Sequence, residues 1–529
     1  MKTKNITWLV CLCSAFCLTL SCDDFLEEEA LDTLTSENFP QTLGDAEALA
    51  NQVYRMAGGH FASFRYPDIV LYPTEFATTR QAGAGNVRAQ LDDYRVNNSN
   101  SHIARSWQEA YQVIRQANVA IGAINQIDEN DPNIDSFKSI EAEVKVLRAY
   151  VYYDLLIIFG EVPLILDRLQ SLEDAENPTS PISDIYESVI RDLLEAEPVL
   201  PHATEDIGRV TRGAARALLG NVYLQRSMDP AGVAQSDDLD NAITWLRRVV
   251  NAEGGGKTYS LEPDFNNLFG LENVNSSKYS DEIIFQFWRD INQCCRNAYY
   301  SNSNARDTPF GAAWGNTVAE VPFYLSFDTA DERFAVTFFD TINHPTRGTI
   351  IYDYQRPWAD SYQHDGPAFQ KWIDPNHDRT ASNNNVFVIR YAEVLLNLSE
   401  ALTRREGAPT AEALDLLNQV RNRSKLPNLD PVPGSLADME VALFNEYRWE
   451  TAFEANGLTD AHRFFPIFKE RVEANSRYEQ PPVPDGVQED SGRRNDAAPD
   501  VPITLTIDML RMPIPLTELD ANPAIDGGN

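Results

Sequence analysis

Cysteine is scarce in this chain: six among 529 residues, with Cys11, Cys13 and Cys17 falling in one apolar stretch at the N-terminus. Too few remain in the body for a disulfide framework or a cysteine-rich zinc site. Basic residues are outnumbered, 44 Lys and Arg against 79 Asp and Glu, giving a formal net charge of -35. A phosphate backbone would be repelled at every approach, which excludes nucleic acid as a partner and disfavours anionic lipid surfaces. Beyond Leu20 the chain lacks the roughly eighteen uninterrupted apolar residues of a bilayer-spanning helix.

Catalytic signatures are missing as well. H-E-x-x-H, G-x-S-x-G and Walker sequences are absent, and the seven histidines are scattered. Gly83-Ala84-Gly85 lacks the third glycine and the preceding strand of a dinucleotide fingerprint. Asp374-Pro375-Asn376-His377-Asp378 opens like a calcium loop, but Arg379 replaces the required glycine and no Glu follows at the twelfth position. It reads as a turn. Neither metal nor cofactor is therefore expected. With 79 acidic residues, some carboxylate pair reaches glycosidase-like separation by chance, so acid pairing carries no information here.

What is present begins at the N-terminus. Lys2 and Lys4 precede an apolar run over residues 6–20, too short to cross a bilayer comfortably and suited to a secretory h-region. The run ends Leu18-Thr19-Leu20-Ser21-Cys22, which resembles a bacterial lipobox: residues 1–21 are then a lipoprotein signal peptide and Cys22 carries lipid. The plainer alternative is an ordinary signal peptide with an incidental cysteine. Several acyl chains on Cys22 would anchor stably where one chain binds marginally. Residues 22–40 form an acidic linker, and Asp23, Asp24, Glu27, Glu28 and Glu29 within it resemble the signal that carries Bacteroidetes lipoproteins to the outer face of the outer membrane. A solvated linker is the bland reading of the same residues.

The 43% of hydrophobic residues suffices for a large core. Trp107, Tyr111, Ile114 and Ile121 recur at offsets of 0, 4, 7 and 14, an apolar stripe on one helix face. A helix over 140–159 carries Val144, Leu147, Val151 and Leu155 and stops at Gly160 and Pro163. Further helices are predicted over 184–194 and 212–224. Leu219-Gly220-Asn221-Val222-Tyr223 matches part of the tetratricopeptide pattern, with Ala242 and Leu246 in the next helix; 391–402 followed by 410–424, with Ala413 and Leu417, forms a second such pair. Two stretches break the helical pattern. Residues 65–100 and 257–385 are expected to be irregular, apart from a short strand over 281–288, with helices resuming at Val386. Loop-rich blocks inside a folded chain are usually functional rather than idle.

Several separate segments resemble the SusD/RagB family of outer-membrane nutrient-binding lipoproteins. They are Val146-Leu147-Arg148-Ala149-Tyr150-Val151-Tyr152-Tyr153-Asp154-Leu155 closing with Gly160-Glu161-Val162-Pro163; Gly208-Arg209-Val210-Thr211; Tyr391-Ala392-Glu393-Val394; Leu417-Asn418-Gln419-Val420-Arg421-Asn422-Arg423; Glu446-Tyr447-Arg448-Trp449-Glu450 with Phe453-Glu454; and Met512-Pro513-Ile514-Pro515. The resemblance implies a mainly α fold, a tetratricopeptide-like helix-pair scaffold with a loop-rich ligand-binding region and a few short strands, as one domain over 22–529. It also implies a non-catalytic surface lipoprotein that captures a glycan and delivers it to a SusC-like TonB-dependent transporter. Two readings from other classes stand beside it, a protein-binding tetratricopeptide-like scaffold and a helical polysaccharide-degrading enzyme.

Sugar capture needs flat aromatic faces against pyranose C–H groups and planar amide, carboxylate or guanidinium groups for paired hydrogen bonds to hydroxyls. Both irregular stretches supply the mixture. The candidates are Tyr66, Tyr72, Arg80, Asn86 and Arg88 in the first, and Trp288, Tyr299, Tyr300, Asn302, Asn304, Arg306 and Trp314 in the second. Trp107, Tyr150, Tyr152 and Tyr391, on periodic helices, are expected in the core. Cys294 and Cys295 either form a vicinal disulfide that stiffens the binding loop or remain two buried thiols. The net charge works against a strongly anionic glycan unless local arginines offset the field.

Overall fold

The computed structural model describes residue 40 and residues 42–79, 86–168, 176–270, 276–290, 297–298, 315–339, 341–344, 348–351, 367–375, 382–475 and 503–525. Cys22, the acidic stretch after it and the Cys294-Cys295 pair lie outside these residues.

Helices dominate. In chain order they are α1 (Leu43–Phe61), α2 (Arg65–Leu71), α3 (Val87–Asp92), α4 (Ser101–Ile124), α5 (Ile134–Phe159), α6 (Ile182–Ala196), α7 (Arg212–Ser227), α8 (Asp238–Val250), α9 (Asn266–Phe269), α10 (Val321–Tyr324), α11 (Glu332–Thr337), α12 (Tyr391–Glu406), α13 (Ala411–Arg423), α14 (Leu436–Glu450), α15 (Gly457–Arg463), α16 (Phe465–Asn475) and α17 (Leu516–Ala521). Among the described residues six short strands, β1 (Ala77–Thr79), β2 (Ile283–Phe287), β3 (Thr317–Ala319), β4 (Thr341–His344), β5 (Gly348–Ile351) and β6 (Val386–Arg390), form three antiparallel pairs, β1 with β3, β2 with β6 and β4 with β5.

Consecutive helices stack. α4 packs on α5, α5 on α6, α6 on α7 and α7 on α8, and α8 then meets α12, which packs on α13 and α14. The step from α8 to α12 joins helices separated by the whole second irregular block, so that block is an excursion from a continuous scaffold. The α7–α8 contact explains the tetratricopeptide-like spelling: a β-carbon on Gly220 would sit 2.5 Å from Leu246 Cγ, so the small residue admits the neighbouring leucine. α5 is the central helix. Its residues from Val146 to Phe159 are buried almost without interruption, because other helices cover it on several sides. It ends at Gly160, whose φ of 77° suits glycine.

Predicted helices are found with small boundary shifts: 140–159 begins earlier, at Ile134, and 410–424 becomes Ala411–Arg423 with Thr410 as N-cap, its hydroxyl accepting from Ala413 N. Two expectations need correction. Residues 65–100 are not irregular throughout, since they contain α2, β1 and α3, and 257–385 holds the short helices α9, α10 and α11 and the strands β3, β4 and β5 besides β2. Proline at the third position of α2 is tolerated in a first turn, and the aromatic-rich sequence around it masked the helix. Helices also do not resume at Val386: residues 386–390 are the strand that pairs with β2, as their β-branched content suits.

Charged residues of the family-like segments are structural. Arg148 of α5 grips Asp192 of α6 with two bonds of 2.8 Å, from Nε and Nη2. Glu450 accepts from Arg390 at 2.7 Å, from Arg333 at 3.0 Å and from Arg423. Glu282 accepts from Arg390 and Arg423, and Glu454 from Arg390 and Lys371, all in the interior. This network ties β2, β6, α11, α13 and α14 together. The tail over 503–525 closes on the scaffold, Met512 N donating to Ile158 O at 2.7 Å and Leu516 N to Asn98 O at 2.8 Å.

Candidate ligand-binding site

α1 begins at a capping box, with Thr42 Oγ1 accepting from Asp45 N and Asp45 Oδ2 accepting from Thr42 N. The helix then places Asn51, Tyr54, Arg55 and Gly58 at i, i+3, i+4 and i+7, on one face. Asn51, Tyr54 and Arg55 form one wall of an open cleft of about 720 Å³. The loop 205–209 ahead of α7 contributes Glu205, Asp206 and Arg209, and the third side comes from Tyr279 and from Trp288 and Arg289 at the exit of β2.

The walls are held by specific bonds. Tyr54 Oη donates to Glu143 Oε2 at 2.7 Å and accepts from Val210 N at 2.9 Å, while Arg209 reaches Glu143 at 3.0 Å and lies over the Tyr54 ring. Burial, with Glu143 adjacent, pushes the Tyr54 phenol well above its ordinary pKa, so it stays protonated. Gly208, at φ 94°, lets the loop approach the strand: a β-carbon there would lie 3.2 Å from Trp288 Cβ and 3.3 Å from Gln286 O. The Lys278 ammonium sits 4.6 Å from the Trp288 ring centroid and donates to Arg289 O at 3.1 Å. Burial lowers its pKa. Tyr279 is the most solvent-exposed large aromatic of the described residues, at 66%, and also lines a neighbouring cleft of about 480 Å³ on the same loop.

Such a surface offers aromatic planes, two carboxylates, an amide and guanidinium groups. The described residues lining it include no histidine, cysteine or serine. Among the described residues no group of three or more His, Cys, Asp and Glu could hold a metal ion, and no helix is long and apolar enough to cross a membrane.

The sequence candidates separate under this geometry. Trp288 lines the cleft. Tyr66 and Tyr72 do not: they are 3% and 1% exposed, their hydroxyls bonded to Asp154 and to Thr317, so they belong to the core. Both stand on or at the end of α2, where burial of the helix claims their rings. Asn86 caps α3 through Arg88 N, and Arg88 Nε donates to Asp68 at 2.8 Å, so both are engaged in local structure away from the cleft. Arg80, Tyr299, Tyr300, Asn302, Asn304, Arg306 and Trp314 lie outside the described residues. Sequence reasoning missed Asn51, Tyr54, Arg55 and Tyr279. The first three stand on α1, outside the two stretches expected to be irregular, and Tyr279 sits within the second of those stretches among small polar residues. Trp107, expected in the core, is 4% exposed and donates Nε1–H to Glu518 at 3.2 Å in the wall of a second 720 Å³ cleft beside α4. Its ring is consumed by packing, which favours the α1 cleft as the aromatic platform.

Comparison with known proteins places the chain. The family model described as the SusD family matches residues 231–527, and one described as starch-binding associating with outer membrane matches residues 24–224. SusD-like protein P2 of Formosa agariphila is 27% identical over 485 residues, covering 88% of this chain and 91% of that protein. A crystal structure with a xylogluco-oligosaccharide superposes with a TM-score of 0.71 at 21% identity, covering 90% of this chain and 97% of the other. A laminarin-binding SusD-like protein gives 0.67 at 22% identity, covering 91% and 98%. The family match spans more than half of the residues and the fold agrees, so the chain is a member of the SusD family.

Proposed function

We propose that this protein is a non-catalytic glycan-binding lipoprotein of the outer membrane, facing the cell exterior, that captures an oligosaccharide and hands it to a SusC-like TonB-dependent transporter. The observation that carries the reading is the α1 cleft, where Tyr279 and Trp288 offer aromatic surface beside Asn51, Arg55, Glu205 and Asp206. Stacking against the C–H face of a sugar and planar hydrogen bonds to its hydroxyls are what these groups do without any reacting atom. The similar laminarin-binding protein and the similar structure with a xylogluco-oligosaccharide support the ligand class. The lipobox-like Leu18–Cys22 sequence and the acidic residues after it support anchoring through Cys22, with residues 22–529 acting as one domain.

Affinity electrophoresis of the purified chain against neutral and acidic glycans tests this. Retention by at least one glycan, with no new reducing ends after prolonged incubation, is expected. Release of reducing ends would replace the binding protein with an enzyme, and absence of retention by every glycan would leave a protein-binding scaffold.

A further inference from the structure

Arg289 is out of place in this molecule. It is 2% exposed, and Nε and Nη2 of its guanidinium find no hydrogen-bond partner. Its backbone is firmly held, N donating to Asn385 Oδ1 at 2.7 Å and O accepting from Lys278 Nζ at 3.1 Å. Other interior arginines are matched to carboxylates: Arg148 to Asp192, Arg226 to Asp238, Arg333 to Asp331 and Glu446, Arg390 to Glu282 and Glu454. In a chain with 79 acidic residues, an arginine buried without one calls for an explanation. A buried, unsatisfied guanidinium is costly, and such a cost persists where a ligand removes it.

The surroundings state which ligand. The guanidinium rests against α1 at Gly58, where a β-carbon would collide with Nη2, so the missing side chain is what accommodates it. Asn51, Tyr54 and Arg55 lie on the same helix face, and Arg289 itself lines the cleft above them. Burial alone pulls its pKa down to about 10, so the group remains charged at neutral pH. Nε–H and Nη2–H are the parallel pair that meets the two oxygens of a carboxylate in one plane. Arg55 at the cleft wall is bonded to the neutral amide of Gln52, at 3.1 and 2.8 Å, and makes no ion pair among the described residues.

Resting on the glycan-binding reading, we propose that Arg289 is the specificity group of the cleft and binds the carboxylate of a uronic acid residue in the captured glycan. The guanidinium turns from Gly58 toward the cleft to pair with the carboxylate, while ring hydroxyls of the same sugar donate to Glu205 and Asp206. Those two carboxylates accept from diols and repel further anionic groups on the same sugar, so they select a sugar with one carboxylate among several hydroxyls over a polysulfated one. The protein's overall negative charge is thereby offset locally at one point.

The test is calorimetry with polygalacturonate, alginate and glucuronoxylan, each beside its carboxyl-reduced form, and with carrageenan as a sulfated control. At least one uronate glycan is expected to bind tenfold or more tightly than its reduced form, and R289M is expected to abolish the difference. R289M keeps the volume and removes an unpaired charge, so its melting temperature is expected to match or exceed that of the unaltered chain, which separates loss of binding from loss of fold. Equal binding of native and reduced glycans, or a preference that survives in R289M, overturns the subsite and leaves glycan capture standing. Tight binding of carrageenan alone overturns the carboxylate assignment. Binding of none of these glycans, native or reduced, overturns the subsite, while the broader neutral panel then decides whether glycan capture itself fails.

Discussion

At the scale of single residues, the family-like segments and the residues proposed to face ligand are largely different sets. Arg148, Glu450 and Glu454 are buried in ion pairs, and Tyr447 is bonded to Asn397 and Glu400. Tyr279, by contrast, belongs to none of those segments and stands 66% exposed. Its replacement by alanine is expected to leave stability within about 0.5 kcal/mol, measured by denaturant unfolding, while weakening glycan binding by about 1 kcal/mol or more. Glu393 makes a complementary case for pH. Burial raises its pKa from 4.5 to about 7, although Asn221 donates to it at 3.2 Å. Below pH 4.5 the group is protonated in both folded and unfolded states and contributes nothing. As pH rises to about 7 the unfolded chain ionises first, so the folded state loses stability. E393Q removes that penalty. Its melting temperature is expected to exceed that of the unaltered chain by a margin that grows between pH 4.5 and 7, and a constant margin would show that Glu393 does not titrate in this way.

Elements show which parts of the fold periodicity could reveal. Helices α5, α7, α12 and α13 carry apolar residues at helical spacing and clear stops, so they were legible. Gly220 was legible in a more specific sense, since the L-G-x2-Y spelling describes the approach of α7 to Leu246 of α8. G220A is expected to destabilise by about 1 to 3 kcal/mol in equilibrium unfolding, with partial rescue by L246A, because the added methyl overpacks that contact. α2 and β6 were not legible. A seven-residue helix containing proline and a five-residue strand are too short for period to decide between helix, strand and loop, and both are fixed by tertiary packing. The misplacement of α2 carried Tyr66 and Tyr72 with it into the candidate list. The α1 cleft was hidden for the opposite reason: a clean amphipathic helix gives no sign that residues on its other face line a cavity.

The whole molecule is held by a buried charge network as well as by its apolar core. Burial alone would raise the carboxylates of Glu450 and Glu454, yet Arg423, Arg390 and Arg333 hold Glu450 well below the usual range, and Arg390 and Lys371 lower Glu454. Depressed carboxylates contribute stability that is complete above the unfolded value of 4.5 and is lost as pH falls through the folded value. Acid unfolding is therefore expected to begin below about pH 4.5, and E450A to cost about 3 to 5 kcal/mol at neutral pH by removing the buried carboxylate that three guanidinium groups share. Urea titration at pH 7 and pH 4 measures both. That rigid frame supports β2 and so positions Trp288, whose neighbours on α1 and the 205–209 loop complete the cleft. The central claim is that this cleft captures glycan by stacking and hydrogen bonding without cleaving it. The most direct measurement is calorimetric titration of the purified chain and of the Y279A W288A double variant with a glycan that the unaltered chain retains. Binding that falls at least tenfold in a variant with unchanged melting temperature is the predicted result, and affinity equal to that of the unaltered chain would contradict the placement of the ligand in the α1 cleft.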